Sequence, residues 1–547
     1  MKIPAVKVPS LHVASHLLER SAGLGPPPTR DLVVQRDLPA LMPDGVTLLA
    51  DRYVPKPGGD GLPVALLRCP YGRRGLLPVS VARPLAERGF QVIVQSCRGT
   101  FGSGGVFEPM RNERADGLAT LEWVIGQPWF GGSIVLTGPS YLGFVQWAVA
   151  DELPPEVKAI IPVVTESALS LEFLRPDGMS LETPFGWGIL TDGQEKPGAM
   201  LRQMTSTNRN IKAMSALPLR DGDVMAAGHR IGYVQDILAH DSSSPYWQPL
   251  DHRGRVAATT VPVSSVAGWY DIFLPGQLRD FRALQAAGRP ARLTVGPWHH
   301  MNSADHGTRE TLAFGLPLAR GEEPPSRLPV RLYVMGAGEW REFESWPPPG
   351  YAPRRYYLQP GGGLFPEPPA GAVGPSAYRY DPADPTPAAG GARMLWRGAG
   401  RVDNRALEAR PDVLTFTTAP LPSAVEVIGE VSAEVWFAST RRYADLFIRL
   451  CDVDERGQSG NVCDGLVSVT GADEPGMVTI SLWPTAHRFE PGHRIRVQVS
   501  SGAFPRFARN PGSGEPLATA TRLLAADQSV FHDVARPSAI IVPVAQA

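Results

Sequence analysis

The sequence predicts a doubly wound, mostly parallel α/β sheet with an inserted helical cap and a C-terminal all-β jelly roll. Between residues 63 and 161, short continuous apolar runs alternate with helical patterns, which is typical of parallel strands covered on both faces. Over residues 166–252 this alternation of strand and helix patterns ends, and the sequence shows helical patches with few strand signals. Beyond residue 350, short alternating strands are separated by Pro and Gly turns, and almost no helix is indicated.

The 547 residues are too many for one hydrophobic core, so several domains are expected. We predict an N-terminal arm, a catalytic domain made of two chain segments, a cap inserted between those segments, and a β sandwich. The predicted boundaries are 1–29 for the arm, 30–151 and 253–350 for the catalytic domain, 152–252 for the cap and 351–547 for the sandwich.

The individual core elements follow from apolar runs and their breakers. A hairpin is expected around Pro43-Asp44-Gly45, between two alternating segments. In chain order, the predicted core strands are 64–67, 90–94, 134–136, 157–161, 261–267, 291–295 and 330–334, and the predicted helices between them are 79–88, 112–126 and 144–150.

Charge, cysteine usage and the N-terminus exclude several classes of function. A formal net charge of −1 gives no field that would attract nucleic acid or an acidic membrane. The four cysteines form no C-x-x-C pair, which fits a reduced, cytoplasmic protein and predicts neither a disulfide framework nor a zinc site. The N-terminal stretch lacks a long apolar core, so we expect neither a signal peptide nor a spanning helix. No metal and no cofactor are predicted.

The stretch Gly138-Pro-Ser-Tyr-Leu-Gly143 places a serine between a predicted strand and a predicted helix. A sharp strand-to-helix turn exposes the Ser140 hydroxyl at the C-terminal edge of the sheet, beside a helix N-terminus that favours negative charge. This pattern indicates a nucleophile elbow, although the second glycine falls one residue later than in G-x-S-x-G. The alternative is an ordinary Gly-Ser turn that packs a helix on a strand.

A serine nucleophile needs a base and an orienting carboxylate, and both residue types follow later sheet strands. Asp271 ends Gly268-Trp-Tyr-Asp271, directly after the strand 261–267. Two histidines end Gly296-Pro-Trp-His-His300, directly after the strand 291–295. The order Ser, Asp, His is that of α/β hydrolases. A helix N-cap is the alternative role for Asp271, and the residues alone do not choose between His299 and His300.

The negative charge that develops on an acyl oxygen needs two hydrogen-bond donors. One expected donor is the backbone N–H of Tyr141, the residue after the nucleophile. The other is expected in the loop after the strand 64–67, which reads Arg68-Cys-Pro-Tyr71 and offers a phenol hydroxyl. A core tyrosine that anchors the loop is the alternative for Tyr71.

Taken together, these motifs resemble the cocaine esterase and X-prolyl dipeptidyl-peptidase family (CocE/NonD hydrolases, peptidase S15). The resemblance spans roughly residues 30–545. One departure is Ser96, where many members carry Asp. The segments that carry the resemblance are 68–71, 98–103, 138–143, 268–271 and 296–300 in the α/β part, and 407–414, 450–454 and 501–507 in the β part.

The resemblance implies an α/β hydrolase core and a serine hydrolase mechanism. It implies Ser140 as the nucleophile, Asp271 as the acid and His300 as the base. It also implies that the Tyr71 hydroxyl and the Tyr141 N–H form the oxyanion hole. A late glycine after the nucleophile is normal in that family.

The resemblance leaves the substrate open, because members split esters, β-lactam side-chain amides or X-Pro peptides. Trp187 and Phe273 are expected to line an apolar acyl pocket, with core packing as the alternative. In peptidases and amino-ester hydrolases of the family, cap carboxylates hold a free α-amino group, but for the cap acids of this chain a solvated surface position is the expectation. The candidate cap acids are Glu166, Glu172, Asp177 and Glu182.

The predicted function is that of a serine hydrolase that cleaves an ester, an amide or an X-Pro peptide bond through an acyl-enzyme. Its substrate would be a small acyl compound or a short peptide. An acyltransferase with the same triad and an amine or alcohol acceptor is the first alternative, and a catalytically inert binding protein is the second. The β domain is expected to be structural and to close one side of the active-site mouth. The sequence leaves a homodimer open.

Overall fold

The computed structural model describes residues 12–56, 58–168, 174–175, 178–394 and 398–546. Across these ranges, no helix is long and apolar enough to cross a membrane. The described chain begins with helix α1 (His12–Ser21) and then enters a ten-stranded mixed sheet.

The ten-stranded sheet forms the α/β core. Its strands are β1 (Leu32–Leu41), β2 (Thr47–Pro55), β3 (Val64–Cys69), β4 (Gln91–Ser96), β5 (Ile134–Pro139), β6 (Val157–Val163), β7 (Val263–Tyr270), β8 (Ala291–His299), β9 (Val330–Val334) and β10 (Glu339–Phe343). Their spatial order is β1-β2-β4-β3-β5-β6-β7-β8-β9-β10. The strands from β4 to β9 in this order pair in parallel, and β1, β2 and β10 add antiparallel edges.

Helices cover the sheet on both faces, so the central strands are buried throughout. The residues of β3, β4 and β5 are all buried, which is why these strands read as continuous apolar runs in the sequence. The helices of the core are α2 (Leu76–Ala86), α3 (Glu113–Ile125), α4 (Tyr141–Trp147), and further along the chain α10 (Arg253–Val256), α11 (Leu274–Ala286), α12 (Ala304–Glu310) and α13 (Leu316–Ala319).

The predicted α/β hydrolase core is confirmed, including the hairpin of β1 and β2 around residues 43–45. Two details differ. Helix α4 begins directly after Ser140, three residues before the predicted start at 144, because Gly143 fits inside its first turn. Strand β6 lies between β5 and β7 in the sheet, so residues 157–163 do not belong to a cap that begins at 152.

The cap lies between β6 and β7 along the chain and is built mainly from short helices. They are α5 (Glu182–Gly193), α6 (Ala199–Thr205), α7 (Thr207–Met214), α8 (Gly222–Ala227) and α9 (Gly232–Ala239). Many glycines and prolines break this region, which explains why the sequence indicates helical patches rather than long helices.

The C-terminal domain is a 13-stranded β structure whose described part contains one short helix, α14 (Arg405–Glu408). Its strands are β11 (Tyr351–Gln359), β12 (Gly363–Phe365), β13 (Ser376–Tyr380), β14 (Leu414–Thr417), β15 (Val425–Gly429), β16 (Ser432–Ser439), β17 (Tyr443–Val453), β18 (Ser459–Thr470), β19 (Gly476–Ser481), β20 (Thr485–Phe489), β21 (Arg494–Ser500), β22 (Ala526–Phe531) and β23 (Ala539–Ala545). The all-β character expected beyond residue 350 is confirmed.

The cap is docked on the β domain by backbone pairing. Ser180 bridges Phe507 in antiparallel fashion, and the N–H of Leu181 donates to Arg506 O at 2.8 Å. The N–H of Glu182 donates to Pro505 O at 3.0 Å. The first turn of α5 is therefore fixed by the β domain rather than by the α/β core.

Candidate active site

Ser140 lies in the turn between β5 and α4, with φ 58° and ψ −123°. For a residue other than glycine, such a conformation costs about 1–3 kcal/mol, so the surrounding structure must hold it. The Ser140 N–H donates to Val163 O at 2.9 Å, and the N–H groups of Gly143 and Phe144 donate to Ser140 O. The side chain is left partly exposed at the C-terminal edge of the sheet.

The two glycines of the motif are explained by close contacts. Gly138 has φ 141°, and a Cβ at this position would lie 2.5 Å from Leu142 Cβ. A Cβ on Gly143 would lie 2.3 Å from Thr165 Cγ2, in the loop after β6. The late second glycine therefore allows the first turn of α4 to pack closely against that loop.

The structure brings Ser140, His300 and Asp271 into one hydrogen-bonded chain. His300 Nε2 lies 3.0 Å from Ser140 Oγ, and His300 Nδ1 lies 2.7 Å from Asp271 Oδ2. Asp271 follows β7 and is fully buried, whereas His300 follows β8. Because β5, β7 and β8 are parallel strands of one sheet, their carboxyl ends meet at the same edge.

Asp271 also organises the backbone after β7. Its Oδ1 accepts the N–H of Phe273 at 2.8 Å, while Oδ2 faces His300. Helix α11 begins at Leu274 with Phe273 as its N-cap, so Asp271 is not the capping residue. Both carboxylate oxygens are thus hydrogen-bonded, which fixes the orientation of the carboxylate toward the imidazole.

His299 plays a different part from His300. Its Nδ1 accepts the N–H of Met301, and its backbone N–H donates to Asn302 Oδ1 at 2.9 Å. Burial lowers the pKa of His299. The side chain stabilises the turn that carries His300, and of the two histidines it is His300 that contacts Ser140.

Tyr71 lies in the loop after β3, on the side of the sheet where Ser140 lies. Its Oη accepts the indole N–H of Trp187 at 2.9 Å, and the Ser140 side chain is among its neighbours. Burial raises the pKa of Tyr71 well above its ordinary value, so the phenol keeps its proton. The hydroxyl can therefore donate a hydrogen bond at neutral pH.

The side chain of Tyr141 packs in the core, so its backbone N–H is the group available to the site. Its hydroxyl donates to Glu113 Oε1 at 2.7 Å and accepts the N–H of Met110 at 2.7 Å, so the side chain is fully engaged in the core. Glu113 in turn pairs with Arg68 at 2.9 Å. Within the described part of the chain, no acceptor meets the backbone N–H of Tyr141, which lies at the start of α4.

The departure at Ser96 has a local explanation. Arg73 donates to Ser96 Oγ at 3.1 Å and to Asp51 Oδ1 at 2.9 Å. All three residues are buried. Carboxylates that neutralise Arg73 are therefore supplied by Asp51 of β2 and Asp37 of β1, and a serine suffices at the end of β4.

Two family models match the chain in sequence. The model described as X-Pro dipeptidyl-peptidase (S15 family) matches residues 44–302, and the model of the X-Pro dipeptidyl-peptidase C-terminal non-catalytic domain matches residues 326–541. The cocaine esterase of Rhodococcus sp. (strain MB1 Bresler) is 32% identical over 563 residues, which cover 92% of this chain and 97% of that protein. The chain belongs to the CocE/NonD, peptidase S15 family.

Further relatives agree with this assignment. A putative serine esterase of Mycobacterium bovis is 25% identical over 585 residues, which cover 86% of this chain and 91% of that protein. The fold is shared with an aminopeptidase from a marine sediment Thaumarchaeota archaeon, with TM-score 0.82, 22% identity and coverage of 95% and 98% of the two chains. It is also shared with an α-amino acid ester hydrolase, with TM-score 0.79, 22% identity and the same coverage. The predicted family and the serine hydrolase class are confirmed.

The two aromatic residues expected in the acyl pocket of this serine hydrolase both border the site. Phe273 is buried and its ring lies edge-on to the His300 imidazole, with centroids 5.3 Å apart. Trp187 is buried on α5, stacks on Tyr141 at 6.0 Å and donates to Tyr71. Both side chains therefore also pack against residues of the site itself.

The expectation that the cap acids are solvated surface is wrong for the two that the structure describes. Glu182 is buried and pairs with Arg393 through both carboxylate oxygens, at 2.6 and 2.9 Å. Glu166 is fully buried and lies 3.3 Å from Arg279 Nη2. Glu172 and Asp177 lie outside the described residues.

Sequence reasoning missed three residues that support the site. Glu113 holds the Tyr141 hydroxyl, Arg393 neutralises Glu182, and Gln194 Nε2 donates to Pro70 O at 2.9 Å. These contacts join segments that are far apart in sequence, and no local pattern marks them.

Proposed function

We propose that this family member hydrolyses acyl esters, or amides including X-Pro peptides, through an acyl-enzyme on Ser140. The observation that carries the proposal is the chain from Ser140 Oγ to His300 at 3.0 Å and on to Asp271 at 2.7 Å. A serine hydroxyl becomes a competent nucleophile when a neighbouring imidazole accepts its proton.

In the first half of the proposed reaction, Ser140 Oγ attacks the acyl carbon while His300 Nε2 takes the hydroxyl proton. Asp271 holds the imidazole and stabilises its cationic form. When the tetrahedral intermediate collapses, His300 gives the proton to the leaving alkoxide or amine, and the acyl group stays on Ser140. In the second half, water attacks the acyl carbon while His300 takes its proton, and His300 then returns that proton to the leaving Ser140 Oγ as the acid product is released.

The proposed oxyanion hole consists of the Tyr71 hydroxyl and the Tyr141 N–H. Two observations support it: the Tyr71 oxygen accepts the Trp187 N–H and so keeps its own hydrogen for another acceptor, and the Tyr141 N–H lies at the start of α4. Donors of this kind act when they are already aimed at the position where charge develops.

We assign the acyl pocket to the aromatic side chains beside the triad, Trp187 and Phe273. Large apolar rings with few polar groups suit an uncharged acyl group. Glu182 is occupied by Arg393, which argues against a role for this carboxylate in binding a free amine. A panel of p-nitrophenyl acyl esters set against aminoacyl and X-Pro anilides would rank the substrate classes.

We also propose a cytoplasmic location. The four cysteines are free and buried in the structure, as expected for a protein that keeps its thiols reduced. Fractionation of the source cells with an antibody to the chain would test this.

Ser140→Ala is expected to abolish turnover and leave the fold intact. Typical losses for a triad member predict less than about a thousandth of the wild-type kcat on a p-nitrophenyl ester. Ser376→Ala is the matched control, because Ser376 Oγ also lies 2.8 Å from a histidine, His532, but in the β domain. Substantial turnover by folded Ser140→Ala would rule out Ser140 as the nucleophile.

A further inference from the structure

The hydroxyl of Tyr71 is held from the cap side by an indole. Trp187 Nε1 lies 2.9 Å from Tyr71 Oη. An indole N–H can only donate, so it occupies a lone pair of the phenol oxygen and leaves the phenol hydrogen for another acceptor. The Ser140 side chain is a neighbour of the same hydroxyl. With the indole N–H on the oxygen, the phenol hydrogen is free to serve an acceptor on the Ser140 side.

The position of Trp187 is itself fixed by other rings. Its indole stacks on Tyr141 with an interplanar angle of 12° and meets Tyr233 edge-on, with ring centroids 4.9 Å apart. The ring of Phe107 lies 6.4 Å away, centroid to centroid. A Cβ on Gly188 would lie 3.0 Å from Tyr233 Cδ1, so the glycine after Trp187 permits this close approach. The indole N–H therefore has little freedom to leave Tyr71.

The same helix also holds the backbone of the Tyr71 loop. Gln194, directly after α5, donates from Nε2 to Pro70 O at 2.9 Å. The next residue, Glu195, accepts the N–H of Phe101 at 2.9 Å. Helix α5 thus contacts the loop at its main chain and at the phenol, from two points about two turns apart.

We propose that Trp187 is a positioning residue for the oxyanion hole, and that its N–H orients the Tyr71 hydroxyl toward the acyl oxygen. The inference rests on the proposed role of Tyr71 as an oxyanion donor. The indole N–H also strengthens the hydrogen bond that the phenol donates. A hydrogen bond received by the phenol oxygen polarises the phenol and strengthens the bond that it donates.

The proposal predicts that Trp187→Phe lowers kcat only when the Tyr71 hydroxyl is present. Phenylalanine keeps an aromatic ring but has no N–H. Loss of one orienting hydrogen bond is expected to lower kcat by roughly 2- to 10-fold. In a Tyr71→Phe background, the same change should cause no further loss. The four proteins form a double-mutant cycle that isolates the coupling between the two side chains.

The choice of substrate distinguishes a positioning role of Trp187 from a role in the acyl pocket. A positioning residue lowers kcat by a similar factor on p-nitrophenyl acetate and on p-nitrophenyl benzoate. A pocket residue instead raises KM for the benzoyl ester and hardly affects the acetyl ester. Turnover is expressed per site labelled by a fluorophosphonate, and Trp187→Leu serves as a second variant without the N–H.

Trp247→Phe is the matched control. Trp247 is a buried cap tryptophan whose N–H also makes one hydrogen bond, to Asp241 O at 2.9 Å, but it does not contact Tyr71. This variant should keep the wild-type kcat per labelled site.

Two results would overturn the inference. Equal losses from Trp187→Phe with and without the Tyr71 hydroxyl would show that the indole acts by packing, while the role of Tyr71 itself would stand. A wild-type kcat for Tyr71→Phe would remove Tyr71 from the oxyanion hole and with it the role of Trp187.

Discussion

Tyr71 shows how a single side chain acquires a chemical role from its surroundings. A phenol in water competes with solvent for hydrogen bonds, but here the side chain is shielded and Trp187 occupies one lone pair of its oxygen. In the proposed oxyanion hole, this contact limits how far the hydroxyl must reorganise during the reaction. Pre-oriented donors of this kind contribute more to catalysis than equally polar groups that must turn.

Tyr71→Phe is expected to lower kcat by about 10²–10³, which is typical of the loss of one oxyanion donor. The ring packing is kept, so the melting temperature should change little. Tyr378→Phe is the control, because Tyr378 is a buried tyrosine of the β domain whose hydroxyl bonds Ser501 at 2.8 Å. A sharp fall in melting temperature with unchanged turnover per folded molecule would make Tyr71 a core anchor instead.

At this scale, the residue types of the site follow from the sequence motifs, whereas the choice between the two histidines comes from the family resemblance and not from the residues alone. Asp271 and the two histidines each follow a parallel strand, so their meeting at one sheet edge was foreseeable. The choice of His300 over His299 depends on a turn of three residues, 300–302, whose geometry the residues do not fix. The indole of Trp187 comes from a separate domain, and no spacing rule links it to Tyr71.

Among the elements, α4 carries the consequences of the nucleophile elbow. It starts directly at Tyr141 and is buried along its whole length. On its far side, the ring of His252 lies 4.9 Å from Phe144 and is 2% exposed. Burial lowers the pKa of His252 to about 4. The neutral imidazole is thus part of the support behind the elbow.

Stability should therefore fall on acidification because of His252. In the unfolded chain the imidazole takes a proton near pH 6.5, whereas in the folded protein it does so only near pH 4. The contribution is fully present above about pH 6.5 and is lost as the pH falls, and by about pH 4 the loss amounts to roughly 3 kcal/mol. His252→Phe keeps a ring against Phe144 and removes the titration.

The check is the melting temperature of the wild type and of His252→Phe between about pH 7.5 and about pH 4.5. The variant should lose less stability on acidification than the wild type. Parallel curves would mean that His252 does not carry this pH dependence.

Core strands and cap helices differ in how well the sequence predicts them. The strands β3, β4, β5 and β7 are buried at every residue, and the positions of the core strands follow from their apolar runs. The cap helices are short and interrupted by glycine, so only their helical character can be predicted. Strand β6 shows that chain order alone does not set a domain boundary, because it returns to the sheet before the cap begins.

For the whole molecule, the central feature is a direct anchor between the β domain and the start of the cap helix α5. Glu182 at the start of α5 and Arg393 of the β domain form a buried, bidentate ion pair across 211 positions of sequence. Two further contacts join the α/β core to the β domain. Tyr270 donates to Asn461 O at 3.1 Å, and Gly400 lies beside His299. These contacts support the prediction that the β domain closes one side of the active-site mouth.

Glu182→Gln should therefore weaken both stability and catalysis. Removal of one partner from a buried ion pair costs about 3–5 kcal/mol, because the other charge stays buried and uncompensated. Helix α5 would lose its anchor on the β domain, and kcat should fall through the displaced Trp187. Melting temperature and kcat on a p-nitrophenyl ester are the two measurements.

Glu434→Gln is the matched control for that experiment. Glu434 forms an equally bidentate pair with Arg355, but this pair is exposed on the β domain, where such pairs contribute about 0–1 kcal/mol. A Glu182→Gln protein that melts and turns over like Glu434→Gln would show that the β domain does not determine where the cap lies.

The most direct test of the proposed mechanism is the covalent labelling of Ser140. A fluorophosphonate reacts with a serine that a histidine activates, and peptide mass mapping then locates the modified residue. The mechanism predicts one phosphonyl group per chain, on the peptide that contains Ser140, and no labelling of Ser140→Ala. Modification of a different residue, or equal labelling of Ser140→Ala, would contradict it.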